Sequence, residues 1–164
     1  MVGLVKRGTD RAGVEMRPSS RTFFVCLILN CVILALAGCH PSVRRSGIPA
    51  GAQAALQEAI EDIDAGRYDK LYQEASDEWR NQSSAEDSQA TLQTLRNKLG
   101  NARTRTQETA REEQTSSAPV AGHSVTVFYQ TTFDRGEGTE TFTLVERSGR
   151  WQLAKYYVSS SGLR

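Results

Sequence analysis

The chain has 164 residues, 24% of them charged, and a formal net charge of +1 at neutral pH. This length is sufficient for one domain with an ordinary hydrophobic core. A general nucleic-acid-binding domain is expected to carry a strongly basic face, so the near-neutral balance argues against that class of protein.

The N-terminal quarter of the chain has the layout of a secretory signal. Arg17 and Arg21 form a basic segment, and residues 22–37 form an apolar segment of 16 residues. Since a membrane-spanning helix needs about 20 apolar residues, this shorter segment predicts a cleaved signal peptide over residues 1–38. Two alternatives stay open for residues 1–15: they precede the true start at Met16, or they extend the basic segment.

The apolar segment ends in Leu36-Ala37-Gly38-Cys39, which resembles the lipobox of bacterial lipoproteins. The resemblance implies cleavage between Gly38 and Cys39, transfer of diacylglycerol to the Cys39 thiol, and acylation of the new amine. We therefore predict a cell-envelope protein whose acylated Cys39 (palmitate being a typical chain) inserts into the lipid bilayer. The alternative is an ordinary signal peptide, or an uncleaved anchor, with a chance cysteine.

The residue after Cys39 bears on the final membrane. His40 stands at the second mature position, where Asp is the family's convention for retention in the inner membrane. In a Gram-negative cell, the outer membrane, facing the periplasm, is therefore favoured over the inner membrane.

Cleavage would leave a mature chain with few groups suited to catalysis, disulfide formation or metal binding. Removing residues 1–38 from the 164 leaves 126, with 15 Lys and Arg against 17 Asp and Glu, and with Cys39 as the last cysteine. Neither a disulfide nor a cysteine nucleophile is then expected. The sequence also lacks two-histidine metal spacing, a glycine-rich phosphate loop and a Gly-x-Ser-x-Gly motif. We expect no metal and no cofactor.

The mature chain is predicted to begin with a lipidated tether at residues 39–51. Prolines and glycines recur there and apolar periodicity is absent, which opposes regular structure. A single domain at residues 52–160 and a short tail at 161–164 complete the predicted organisation.

The first half of the domain has the apolar spacing of helices. The three segments run between Ala52 and Ile63, between Tyr68 and Trp79, and between Leu92 and Leu99. Gly66 and Gly100 are predicted C-terminal stops of the first and third helices. Ser83-Ser-Ala-Glu86 has capping-box spacing and predicts the start of the third helix. None of the segments is long and apolar enough for a membrane.

After Gly100 the pattern alternates with a period of two, which predicts strands. The predicted strands are residues 103–115, 124–133, 139–147 and 150–159, separated by a loop at 116–122 and turns at 134–138 and 148–149. Short connections predict an antiparallel meander. Helices followed by strands predict an α+β fold, with the N-terminal helices packed on one face of a sheet of about four strands.

A resemblance supports this fold. Asp64-Ala-Gly-Arg-Tyr68-Asp-Lys-Leu-Tyr72, followed by a sheet ending in residues 149–157, resembles the nuclear transport factor two-like, cystatin-like superfamily. Within it, the chain is similar to small bacterial envelope proteins of domain-of-unknown-function family 4019. The matching residues include Trp79-Arg80, Leu99-Gly100, Arg103-Thr-Arg105, Tyr129–Phe133, Thr139–Leu144 and Trp151. The resemblance covers nearly all of residues 52–158. It implies a curved sheet wrapping a long helix, often with a cone-shaped pocket, and no catalytic residues.

Aromatic residues are the candidates for a pocket or binding face. They are Tyr72, Trp79, Tyr129, Trp151 and Tyr156. Aromatic residues at these spacings more often belong to a core, and the two tryptophans are expected to wedge between helices and sheet. His123, at a strand start, is expected to be exposed, while turn formation and helix capping account for Asp64 and Asp69.

Two functional hypotheses follow. In the first, a non-catalytic domain binds an envelope protein or polymer, since the sequence combines a lipid anchor with no convincing acid–base set. In the second, a cone-shaped pocket binds or transforms a small apolar molecule, which rests on superfamily analogy alone. An enclosed pocket with a desolvated carboxyl or phenol would favour the second hypothesis, whereas a cone filled by aromatic side chains would favour the first.

Overall fold

A computed structural model of the chain describes residues 44–116 and 120–163, with side chains from Gly47 onward. The predicted signal peptide, the cleavage between Gly38 and Cys39, and the lipidation of Cys39 lie outside the described residues.

Four helices precede the four long strands in the described part of the chain. The elements are β1 (Arg44–Ser46), α1 (Ala50–Ala65), α2 (Tyr68–Glu74), α3 (Asp77–Arg80), α4 (Ala85–Leu99), β2 (Ala102–Thr115), β3 (Gly122–Phe133), β4 (Gly136–Arg147), β5 (Arg150–Ser160) and a short 3-10 helix (Ser161–Leu163). All strand pairs are antiparallel and the sheet order is β1-β2-β3-β4-β5. The predicted α+β fold is thereby confirmed. Among the described residues, no helix is both long and apolar enough to cross a bilayer.

The helices pack on one face of the sheet, and the core lies between the two layers. Leu56 of α1 belongs to the same core cluster as Val127, Phe142 and Leu144 of the central strands, and each of these four side chains is fully buried. Burying a side chain of this size stabilises the fold by about 1.5–3 kcal/mol. Since the apolar residues of β3 and β4 alternate with polar ones, the other face of the sheet carries mainly hydroxyl and charged groups.

Two glycines end helices as the sequence predicts. Gly66 has φ 71° and ψ 23°, and its N–H binds carbonyls of the last turn of α1. Gly100 follows α4 with φ 81° and donates to the Arg96 carbonyl. Both positions are left-handed, where glycine avoids the steric cost of a Cβ.

The predicted helix across residues 68–79 is two helices instead. Ala75 is extended, with ψ 158°, and the chain re-enters helical structure at Asp77. At the break, the Ser76 N–H donates to the Leu153 carbonyl over 2.9 Å, so that the segment covers part of the outer edge of β5. A tertiary contact thus outweighs a continuous helical pattern, and it protects an edge that would otherwise expose unpaired backbone groups.

The start of α4 and two connections also differ from the prediction. The N-cap is Ser84, whose side chain accepts from the Asp87 N–H, so the capping pair is one residue later than Ser83 and Glu86. The turn between β3 and β4 is only Asp134-Arg135, because β4 begins at Gly136. Within the predicted tether, residues 44–46 pair with Glu113–Arg111 of β2, and α1 begins at Ala50, directly after Pro49. Proline is compatible with a helix start.

Candidate functional site

A cluster of charged and hydroxyl side chains lies where the helices meet one end of the sheet. Its members, called here the Glu140 cluster, are Asp64, Arg105, Thr131, Glu140 and Tyr156. The Glu140 carboxylate is fully buried on β4, so it needs partners for both of its oxygens.

Both Glu140 oxygens have such partners. Oε2 accepts from Arg105 Nε and from the Thr131 hydroxyl, each over 2.6 Å. Oε1 accepts from the Tyr156 hydroxyl over 2.6 Å and from Arg105 Nη2 over 3.3 Å. Four donors therefore satisfy the carboxylate, and no lone pair is left for a further ligand without breaking one of these contacts.

Arg105 links the buried carboxylate to the surface. Its Nη1 and Nη2 donate to the two oxygens of Asp64, at the end of α1, over 2.7 and 2.8 Å. The Arg105 side chain is only 13% exposed, whereas that of Asp64 is 43% exposed. One guanidinium thus joins helix and sheet with fork geometry that a lysine lacks.

The cluster shifts the pKa of two of its members. Burial raises the pKa of the Tyr156 phenol well above its usual range, and the negative charge of Glu140 adds to this effect. Burial lowers the pKa of Arg105, but hydrogen bonds to Asp64 and Glu140 outweigh it and raise the pKa overall. At neutral pH, Tyr156 is therefore a neutral donor and Arg105 a fixed cation.

The strand register explains why these residues meet. Arg105 pairs with Thr131 across β2 and β3, and Tyr129 pairs with Glu140 across β3 and β4, so all four occupy neighbouring positions. Glu140 has the same parity along β4 as the buried Phe142, which places it on the core face.

The space beside the cluster is small. A cavity of about 30 Å³ adjoins Arg105, Glu140 and Tyr156, which is room for about one water molecule. The rings of Tyr129 and Tyr156 lie on either side of Phe142, with centroid distances of 5.9 and 4.9 Å. Aromatic side chains and the cluster itself therefore fill the interior that an open cone would occupy.

A larger groove lies outside the core, between α4 and β5. Its volume is about 270 Å³, and its lining includes Trp79, Leu92, Leu95 and Tyr156. The Trp79 indole N–H donates to the Ser88 hydroxyl over 3.0 Å. The lining of the groove is therefore mainly apolar, with the hydroxyl groups of Ser83, Ser88 and Thr91 among it.

Two of the aromatic residues predicted to line a pocket or binding face, Tyr72 and Trp151, lie away from the Glu140 cluster. Tyr72 donates from its hydroxyl to the Ser83 carbonyl over 3.0 Å and ties α2 to the start of α4. Trp151 packs against the core at the opposite end of the sheet from Glu140, and its ring centroid lies 4.7 Å from that of His123 in an edge-to-face arrangement. Tyr129 and Tyr156 thus share one site, Trp79 borders it through the groove, and Tyr72 and Trp151 lie away from it.

His123 is not exposed as expected but part-buried between two carboxylates. Nδ1 lies 2.7 Å from Glu146 and Nε2 lies 2.6 Å from Glu112. Burial lowers the pKa of His123, but the hydrogen bonds to Glu112 and Glu146 outweigh it and raise the pKa above 6.5. Only the imidazolium has two N–H donors for two carboxylates, so geometry and charge agree on the protonated form.

Sequence reasoning missed Glu140 and Arg105 as site residues, and it explained Asp64 by turn formation although Asp64 forms an ion pair. Asp69 lies in the first turn of α2 and accepts from Gln89. The available signal was parity: Glu140 lies two residues before Phe142 in an alternating strand, which predicts a buried acid. A buried carboxylate needs a counter-charge or hydrogen-bond donors among its neighbours, so such an acid marks a site where polar partners are expected.

The described residues contain no group of three or more His, Cys, Asp or Glu side chains arranged to hold a metal ion. Residues 55–156 match the sequence model of a family described as "Protein of unknown function (DUF4019)". The match covers more than half of the chain, and it confirms the similarity to family 4019. No curated protein matches the chain at a significant level.

Proposed function

Because the chain belongs to the DUF4019 family, whose members are described as proteins of unknown function, we propose a function from its own residues. In this proposal the protein is a lipoprotein of the bacterial cell envelope, held at a membrane through Cys39. Its single domain binds an envelope protein or polymer and catalyses no reaction.

The sequence around Cys39 supports the anchor. The order of basic segment, apolar segment, Leu36-Ala37-Gly38 and Cys39 agrees with processing by a lipoprotein signal peptidase. Each buried methylene of an acyl chain contributes about 0.8 kcal/mol, so two or more chains hold a protein on a bilayer. His40 supports sorting to the outer membrane in a Gram-negative cell.

The saturation of Glu140 is the observation that carries the non-catalytic role. A general acid or base must reach a proton on its substrate. The Glu140 carboxylate already accepts four hydrogen bonds, and the adjoining cavity of about 30 Å³ holds about one water molecule. We infer that the Glu140 cluster joins helix α1 to the sheet and that binding uses the outside of the domain.

The architecture also supports membership in the nuclear transport factor two-like, cystatin-like superfamily. Helices lie on one face of an antiparallel sheet, and β2 and β5 each carry register shifts. Such bulges increase local twist and bend a sheet.

The groove beside Trp79 supports a second candidate function. Its volume of about 270 Å³ and its mainly apolar lining fit a small apolar molecule rather than a polymer. In this alternative, the ligand lies between α4 and β5 and contacts Trp79, Leu92 and Leu95.

Replacement of the lipidated thiol tests the anchor. Cys39→Ser is expected to leave the precursor unprocessed or to release the protein from membranes, and to abolish incorporation of labelled palmitate. Cys31→Ser is the matched control, because it removes a cysteine from the apolar segment and leaves the lipobox intact. Normal processing and palmitate labelling of Cys39→Ser would contradict the proposal.

Native mass spectrometry separates the two binding roles. The protein is released from its host's membranes in mild detergent and measured intact. We expect the mass of the lipidated chain alone, or of an envelope partner bound to it. A reproducible extra mass of small-molecule size that Trp79→Ala removes would support the groove alternative and contradict the first proposal.

A further inference from the structure

The face of the sheet turned away from the helices carries a wide polar cleft. Its volume is about 500 Å³, and strands β3, β4 and β5 line it together with the short C-terminal 3-10 helix. The side chains that define this outer cleft are Gln130, Glu137, Thr139, Tyr157 and Ser159.

The strand register places these groups in two neighbouring rows. Gln130 pairs with Thr139, which pairs with Ser159, so one amide and two hydroxyls form a row across three strands. Tyr157 pairs with Thr141 in the next row. The alternation of side chains puts both rows on the face opposite Phe142 and the helices.

Tyr157 offers a free aromatic ring beside these polar groups. It is 58% exposed, and it is the one large hydrophobic side chain classed as exposed in the part of the chain that the structure describes. The nearest aromatic side chain in its row, Phe128, already has the Arg111 guanidinium over its ring at 5.6 Å. Tyr157 is therefore the aromatic platform that remains available.

The polar side chains of the outer cleft are free as well. Within the described residues, the side chains of Gln130, Glu137, Thr139, Tyr157 and Ser159 make no hydrogen bond to the protein. The Glu137 carbonyl, by contrast, accepts from the Ser160 hydroxyl over 2.7 Å. An amide, a carboxylate and three hydroxyl groups thus point to a ligand rich in both donors and acceptors.

We propose that the outer cleft binds a neutral oligosaccharide chain. A sugar ring presents C–H groups on its face and hydroxyls around its edge. The electron-rich face of Tyr157 suits the C–H groups, while the free amide, carboxylate and hydroxyls suit the ring's edge. The inference rests on the proposed binding role and names the class of polymer bound.

The chemistry of the cleft disfavours other occupants. Among the described residues that line the cleft, Glu137 is the only charged side chain, so this part of the lining offers no cation to bind phosphate or nucleic acid. The core of a homodimer interface is mainly apolar, whereas the described residues of this cleft expose one large hydrophobic side chain, Tyr157, beside hydroxyl groups and an amide. A second copy of the chain is therefore a poorer match than a glycan.

Titration with defined sugars tests the inference. The full lipidated protein in detergent micelles is titrated with tetrasaccharides of N-acetylglucosamine, β-linked glucose and α-linked glucose, and binding is followed by saturation-transfer NMR. We expect saturable binding of at least one of them. Tyr157→Ala is expected to weaken it by at least about tenfold, equivalent to about 1.4 kcal/mol, and Tyr157→Phe to weaken it less.

A matched pair of glutamine variants locates the site. Gln130→Ala should weaken binding, whereas Gln93→Ala, on the exposed face of α4, should leave it unchanged. Absence of saturable binding to all three sugars overturns the inference, as does binding that Tyr157→Ala and Gln130→Ala leave unaltered. A dimer in sedimentation velocity that Tyr157→Ala converts to a monomer also overturns it, in favour of an interface between copies.

These outcomes are separate from the test of the anchor. Failure of sugar binding leaves the palmitate labelling of Cys39 untouched and favours a protein partner. If Cys39 proves not to be lipidated, the same titration is made with the full-length chain in its unlipidated form, so sugar binding is tested independently of the anchor.

Discussion

Arg105 reaches across the sheet to Glu140, 35 positions along the chain, and places its Nε 2.6 Å from a carboxylate oxygen that has no contact with solvent. Removing the cation would leave that carboxylate buried without a counter-charge. We expect Arg105→Ala to lower the free energy of unfolding by about 3–5 kcal/mol, measured by urea denaturation with tryptophan fluorescence.

Arg103→Ala is the matched control on the same strand. Arg103 pairs with Asp134, but its side chain is 69% exposed, and exposed pairs contribute only about 0–1 kcal/mol. Replacing both members of the buried pair with leucine should restore part of the loss, because no unpaired charge remains. Equal losses of unfolding free energy in Arg105→Ala and Arg103→Ala would contradict the prediction that the Glu140 cluster stabilises the fold.

The ion pairs of His123 predict a pH-dependent stability. Its folded pKa is raised above 6.5 by the hydrogen bonds to Glu112 and Glu146, in spite of the opposing effect of burial. The stabilisation is fully present below the unfolded pKa of about 6.5 and is lost as the pH rises through the folded pKa. We expect the free energy of unfolding to fall with rising pH in this window, measured in a series of buffers.

His123→Gln should remove that slope while keeping a polar side chain of similar size. His40 is present in both proteins, so any contribution from it cancels in the comparison. The same pH dependence in the wild-type protein and in His123→Gln would assign the effect to another group.

Gly100 combines a left-handed backbone with a close neighbour. At φ 81°, an added Cβ would lie 2.4 Å from the Asp134 Cβ, and Asp134 also accepts from the Asn101 N–H. At Gly149, with φ 76°, an added Cβ would have no atom within 4 Å. Its substitution therefore measures only the cost of placing a Cβ on a positive-φ backbone. Gly149→Ala is expected to cost about 1–2 kcal/mol, and Gly100→Ala clearly more, by thermal or urea unfolding.

The position of the helix cap supplies a further comparison. Ser84 accepts from the Asp87 N–H over 3.1 Å, so Ser84→Ala should cost about 1 kcal/mol of stability. Ser83→Ala should cost less, since its hydroxyl bonds to Ser88 and to the Ser84 carbonyl and caps no N–H of α4. A larger loss for Ser83→Ala in chemical denaturation would favour the cap expected from the sequence.

Local chemistry determined much of the fold from sequence alone. Gly66 and Gly100 ended helices because left-handed conformations favour glycine, and period-two alternation marked β3, β4 and β5 because one sheet face is buried. The α+β order followed from helical and strand patterns that do not overlap. These signals depend on residues that are close together in the sequence, so they can be recognised without knowing which distant residues meet in the fold.

The tertiary structure decided the features that depend on distant partners. The helical pattern breaks at Ala75 because the Ser76 N–H donates a hydrogen bond to the Leu153 carbonyl. Residues 44–46 form strand β1 because they pair with β2. The same holds for the Glu140 cluster, because strand register, and not spacing along the chain, brings Arg105 to Glu140. Sequence periodicity indicates which face a side chain occupies, but only the assembled sheet fixes which neighbour it meets across that face.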